Sequence, residues 1–261
     1  HPDILEKNHR MEFARKVRDI IFLGYNDVVY QSNVASSSAK RDSSKFDLVS
    51  AIDSSGDPSN YADLIASIMV AVTRFYGKRV FVEKTPQHLF FMDRIIEVFP
   101  NARFIEVVRD PRDVLASKVR RGQDAWMSRE KAVSNQIARL QRDYDPLWDS
   151  LGWRSAVNCG ATFSKHSKEA ILRLRYEDFV TDPKTELSRI CAHIGIHSSL
   201  DMLSVGVLNA SSDIGSESTG INAGAISKWE NVLRPADVWL CQTLCKSEMC
   251  NLKYRTKMIP K

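Results

Sequence analysis

No stretch of the sequence approaches the roughly 18 consecutive apolar residues of a membrane-spanning helix, so no span of that kind is encoded. Charge of one sign is also in short supply. The 261 residues carry 37 Lys and Arg against 32 Asp and Glu, a net +5. That modest basic excess suits an anionic ligand and is too small for a nucleic-acid platform. Cysteine is sparse and poorly spaced for chemistry. Cys159, Cys191, Cys241, Cys245 and Cys250 form an odd count with no CxxC pair, which argues against a disulfide framework and a thiolate zinc site. Cys241 and Cys245 share a face of a predicted helix with no His beside them, and read as buried thiols. No carboxylate or His cluster has ligand spacing, so no metal is expected. Internal repeats are absent. The opening HPDILEKNHR has neither Met nor an apolar leader, and reads as part of something longer.

What is present is an ordinary globular composition, 43% hydrophobic and 26% charged, enough for one α/β domain over residues 1–261. Three short apolar runs have strand composition: 79–83 (RVFVE), 103–108 (RFIEVV) and 170–174 (AILRL). Each is followed by a helical pattern, and that alternation predicts βαβ units, a parallel β-sheet flanked by helices. Residues 6–23 have helical spacing, 32–45 form a Ser-rich polar loop, and 128–152 are a long amphipathic helical region with Trp148 and Trp153 near its end. Helix starts are marked by a capping side chain before proline at Asp57-Pro58, Thr85-Pro86, Asp110-Pro111 and Asp182-Pro183. Asp113 adds a carboxylate to the first turn after Asp110, which the helix dipole favours. Pro235 opens the last predicted helix.

In open parallel sheets ligands bind beyond the carboxyl ends of the strands, where helix N-termini also point. Lys84 follows VFVE and Arg109 follows FIEVV, so two strand ends deliver a cation to that edge. The third delivers Arg175 and Tyr176, a cation and an aromatic able to stack on a base. An alternative is open for each: Arg109 as a local ion pair with Asp110 or Asp113, Lys84 as a surface lysine, Tyr176 as a core aromatic. Taken together they favour an anionic, nucleotide-like ligand. Arg112, Lys118, Arg120 and Arg121 read as solvated.

EKTPQH (83–88), VVRDPRDVLAS (107–117) and LRYEDFVTDP (174–183), in this order, resemble the sulfotransferases that use 3′-phosphoadenosine-5′-phosphosulfate. STGINAGAISKW (218–229) is similar to the loop that closes over the nucleotide in tyrosylprotein-type and related bacterial members. HPD at 1–3 resembles the segment after the first helix in those relatives. The resemblance implies a P-loop NTPase-like α/β fold and transfer of a sulfuryl group to a hydroxyl, less readily an amine. It matches Arg109 and Ser117, eight apart, to the pair that holds the nucleotide 3′-phosphate. Lys84 matches the cation near the sulfuryl group and bridging oxygen, and Tyr176 an aromatic near the adenine. Lys228 matches a basic residue of the closing loop, with Trp229 beside it; a buried tryptophan anchoring that loop is the plainer alternative.

The family's first strand and its basic, Gly/Ser/Thr-rich phosphosulfate loop have no counterpart here, so the domain is expected to be truncated at its N-terminus. The alternative is a non-catalytic nucleotide- or sulfate-binding relative that has lost the loop. For the general base the candidates are Glu6 first, His9 second, then Glu12 and His88. The acceptor, whether metabolite, carbohydrate or peptide, is not readable, although 32–57 and 123–168 are the segments expected to select it. A cytoplasmic location is expected, with a Golgi lumen as the alternative.

Overall fold

The computed structural model describes His9 and residues 58–127, 144–204, 221, 224 and 226–257; for 121–127 it describes the backbone. The chain divides into two compact units, His1–Thr85 and Pro86–Lys261. Glu6, Glu12, the loop 32–45 and, apart from His9, the helix expected over 6–23 lie outside the described residues.

In the first unit, helix α1 spans Tyr61–Phe75. Its cap is Asn60, not Asp57: the Asn60 side chain accepts from the Asp63 amide at 3.0 Å, and the Asp63 carboxylate accepts from the Ser59 amide at 3.1 Å. That reciprocal pairing satisfies orphan donors of the first turn. Leu64, Ile68 and Ala71 form the buried stripe at helical spacing. Gly77 then turns the chain at φ 62. The run 79–83, expected as a strand, is not one. It pairs with no strand among the described residues, and Val80, Phe81 and Val82 are exposed. Strand composition records a preference for pleated, half-buried backbone; a ladder also needs a partner.

The second unit opens with a 3-10 turn, Pro86–Phe91, leading into α2, Met92–Val98. Strand β1, Phe104–Val108, pairs in parallel with β2, Ile171–Arg175, in the register Phe104 opposite Ile171 through Val108 opposite Arg175. Among the described residues two helices lie between them in sequence, α3 (Pro111–Met127) and α4 (Pro146–His166), as a parallel crossover requires. Of the helical region expected over 128–152, residues 128–143 lie outside the described residues; the described helix starts at Pro146 and runs past the expected end to His166. Asp145 caps α4 by accepting from the amides of Leu147 and Trp148, so both tryptophans stand near its start. After β2 come α5 (Tyr176–Thr181) and α6 (Pro183–Ile194), the latter capped by Asp182 and ended by Gly195 at φ 73. Pro235 opens α7, Pro235–Leu244, as predicted, and a further helix α8, Lys246–Asn251, follows. Among the described residues no helix is long and apolar enough to cross a membrane.

One core joins α3, α4, α7 and α8 behind the end of β1, through Val108, Leu115, Val157, Val238, Cys241, Cys245 and Met249. Cys241 and Cys245 are buried free thiols, as their spacing suggested. A smaller cluster packs Phe163 edge-on to Phe104, with ring centroids 5.3 Å apart, beside Met92 and Ile171.

The two strands are also joined by charge. Glu106 and Arg173 are register partners, and the guanidinium grips the carboxylate through two hydrogen bonds of 2.7 and 3.0 Å while donating a third, at 2.7 Å, to the Val157 carbonyl. Helix α4 approaches this pair at Gly160, where a Cβ would stand 2.4 Å from both Glu106 oxygens. Gly160→Ala is therefore expected to cost about 1–3 kcal/mol. Gly152→Ala, on the same helix with nothing within 4 Å, is expected to gain about 0.5–1 kcal/mol. Urea unfolding of the two variants checks the opposite signs.

Burial pushes the Glu106 carboxyl above its usual range, and the hydrogen bonds and charge of Arg173 pull it part of the way back. The folded chain then holds this proton more tightly than the unfolded chain. Its contribution to stability is complete below about pH 4, the unfolded carboxylate's range, and is lost as pH rises through the folded value. Relative to Glu106→Gln, the wild-type chain should lose stability as pH climbs from about 4. Urea midpoints measured across that range test it, and a difference that grows with pH would contradict it.

Candidate functional site

The carboxyl end of β1 is held from three directions. The Trp153 indole, on α4, donates to the Arg109 carbonyl at 2.9 Å. Glu177, on α5, accepts from the Asp110 amide at 2.8 Å with one oxygen and from the Tyr254 hydroxyl at 2.8 Å with the other. That hydroxyl also lies 3.4 Å from the Val108 carbonyl. Burial pushes the Tyr254 hydroxyl far above its usual range, and the Glu177 charge pushes it further, so it remains a donor at ordinary pH. The Arg175 guanidinium stacks on the Tyr254 ring at 4.5 Å and pairs with Asp178 at 3.1 Å.

This frame fixes where Arg109 and Tyr176 stand. The strands are in register to Val108 and Arg175, so the next residue of each emerges at the same edge. The structure brings the two together, with the Arg109 guanidinium 4.6 Å from the centre of the Tyr176 ring. Both are half-buried. Ser117 is half-buried on α3, the helix that starts directly after Arg109.

Asp110 caps α3 as expected, accepting from the Arg112 amide at 2.9 Å. The expectation that Arg112 is solvated was wrong. Its side chain is 5% exposed. It forms two hydrogen bonds with the Asp110 carboxylate, at 2.9 and 2.6 Å, and a third with Gln242 at 2.8 Å. Its guanidinium also covers the Trp229 ring at 4.1 Å. A buried guanidinium is tolerable because its charge and most of its donors are matched. Lys118 is also not simply solvated, since it pairs with Asp149 across α3 and α4.

Asp113 does more than favour a helix dipole. Its two oxygens accept from the amides of Ser227 and Trp229, at 2.8 and 3.0 Å, more than a hundred residues along the chain. Burial pushes this carboxyl up; the two amides and the charge of Arg109 pull it down. Lys228 lies between those amides, half-buried in a 3-10 turn, Lys228–Asn231, while Trp229 is buried in the main core.

Lys84 belongs to the first unit and is exposed just before Pro86. Its neighbour Glu83 accepts from the amide of Thr85 at 3.1 Å and from its hydroxyl, which pins the turn around Lys84. His9 is helical and exposed, and His88 is exposed in the 3-10 turn. Glu6 and the side chains of Gln123, Asp124 and Trp126 lie outside the described residues. Among the described residues no group of three or more His, Cys, Asp or Glu stands where it would hold a metal ion.

The supporting residues Trp153, Glu177 and Tyr254 were not singled out from the sequence for this role. Tyr254→Phe would remove the donor that Glu177 holds in a mostly buried site. It is expected to lower stability by about 1–3 kcal/mol, readable from the urea midpoint.

The sulfotransferase family model matches residues 8–199. Two curated relatives are omega-hydroxy-beta-dihydromenaquinone-9 sulfotransferases of Mycobacterium bovis and Mycobacterium tuberculosis, each 27% identical over 129 residues, or 47% of this chain. The match spans 30% of the length of those relatives. Among solved structures, a sulfotransferase domain from the curacin biosynthetic pathway is 19% identical with a TM-score of 0.46, covering 75% of each chain. A sulfotransferase domain from the Synechococcus PCC 7002 olefin synthase is 21% identical with a TM-score of 0.49, covering 70% of this chain and 63% of that one.

Proposed function

The chain belongs to the sulfotransferase family, and from that premise we propose that it moves a sulfuryl group from 3′-phosphoadenosine-5′-phosphosulfate to a hydroxyl acceptor. The observation that carries the reading is the end of β1, where Arg109 is framed by Trp153 and Glu177 and laid on Tyr176. A half-buried guanidinium at a strand end, next to a helix start and an aromatic ring, is a donor set that fits a phosphorylated nucleoside. In this reading Arg109 and Ser117 bind the 3′-phosphate, Tyr176 lies by the adenine, and Lys228 with Trp229 belongs to the segment that closes over the nucleotide.

The nucleotide supplies the activated sulfuryl group. Lys84 offsets the negative charge that grows on the bridging oxygen as its bond to sulfur breaks and that oxygen keeps the electron pair. A general base, Glu6 or else His9, takes the proton from the acceptor hydroxyl as its oxygen bonds to sulfur. The chain's remaining contribution is positioning, as in phosphoryl transfer. The curated relatives are named for an omega-hydroxy compound, which supports a hydroxyl acceptor over an amine.

Calorimetric titration with adenosine 3′,5′-bisphosphate and with 5′-AMP, on this chain and on Arg109→Ala, tests the reading. The wild-type chain should prefer the bisphosphate, and the variant should lose about tenfold to hundredfold in its affinity. Equal binding of the two nucleotides by the wild type, or none, would sink it. Binding without transfer to any hydroxyl compound would indicate a nucleotide-binding relative that is not an enzyme.

A further inference from the structure

A carboxylate in the first turn of a helix ordinarily serves the amides or the dipole of that turn. Asp113 is buried on α3, and its two oxygens are instead bonded to amides 114 and 116 residues further on. Those amides flank one residue, Lys228. Ser227 takes a left-handed φ of 57 to reach its place, a conformation that a serine keeps only where its surroundings impose it. The Trp229 side chain is anchored independently, under the Arg112 guanidinium at 4.1 Å and within the main core. Core packing alone would hold residue 229 and leave the backbone before it free to turn. The carboxylate removes that freedom at the position that carries the lysine.

We infer that Asp113 is a positioning residue, whose carboxylate clips the Lys228 turn to the start of the helix that follows Arg109 and bears Ser117. The clip sets the geometry in which a 3′-phosphorylated nucleotide is enclosed. This rests on the nucleotide reading given above. Asp113 acts through Lys228 and need not touch the nucleotide.

Amide hydrogen exchange on the whole chain reads the clip without any ligand. In the wild type the Ser227 and Trp229 amides should be well protected; exchange as fast as in an exposed peptide would overturn the inference. Asp113→Asn offers one acceptor where there were two, and should speed exchange at those amides about tenfold to hundredfold with the β1 and β2 amides unchanged. Replacing the Ser227 backbone N–H by an ester oxygen deletes one donor from the opposite side, keeps the left-handed φ accessible and leaves α3 untouched, so the test survives if Asp113→Asn does not fold. Each variant should bind adenosine 3′,5′-bisphosphate about tenfold more weakly, and wild-type affinity in the ester variant would overturn the inference.

A double-mutant cycle separates positioning from general destabilisation. If Asp113 acts through Lys228, then Lys228→Ala should cost much less in the Asp113→Asn background than in the wild type. Additive losses would overturn the clip while leaving the nucleotide site intact. A wild-type chain that does not bind the bisphosphate would overturn the nucleotide reading, and the positioning role with it.

Discussion

The candidate site depends on immobilising two peptide groups at the end of β1, Val108–Arg109 and Arg109–Asp110. A strand that runs out of ladder partners leaves backbone donors and acceptors to satisfy, and buried ones must be paired. Here the Arg109 carbonyl takes an indole N–H and the Asp110 amide takes a carboxylate oxygen, with a phenol hydroxyl beside the Val108 carbonyl. The partners come from α4, α5 and the segment after α8. Once these bonds are made, the direction of the Arg109 side chain and the starting point of α3 are set together. Helix α3 then carries Asp113 and Ser117, so the rest of the site inherits its position from this junction.

Arg109 and Arg112 are three residues apart, and their neighbours give them different environments. Arg109 is half-buried at the end of β1 with its guanidinium over the Tyr176 ring. Arg112 faces inward, and its charge is taken by Asp110 and Gln242 under the Trp229 ring. Gln242 completes this by exchanging two hydrogen bonds with the Lys257 backbone, at 2.8 and 2.9 Å. The cap of α3 is therefore part of a buried polar network that extends to α7 and beyond. Such a network is sensitive to any lost member, because each group left behind is buried without a partner.

Local signals in the sequence transferred well to the structure. Asp110-Pro111 and Asp182-Pro183 start helices because an oxygen and a fixed φ act over only a few residues. The runs FIEVV and ILRLR are strands because each has the other as a partner. RVFVE has the same composition and lacks one among the described residues. Arg112 was misread for a related reason. Its charge suggested solvent, but its counter-ion is two residues away and its other partner 130 residues away. The edge position of Arg109 and Tyr176 was legible because it follows from parallel register. The partners that fix it, Trp153 and Tyr254, are set by tertiary contact and leave no periodic trace.

The bonds that Tyr254 makes have a consequence for how the molecule is assembled. Its hydroxyl meets Glu177, 77 residues earlier, and reaches toward Val108, 146 residues earlier. During synthesis, β1, β2 and the helices between them leave the ribosome well before the residues that complete the junction. Closing loops of that length costs entropy before any contact repays it, which places these bonds late in folding. A nascent chain that has paired its two strands still holds Glu177 and the end of β1 only partly satisfied. The geometry around Arg109 is thus acquired only when the segment after α8 docks.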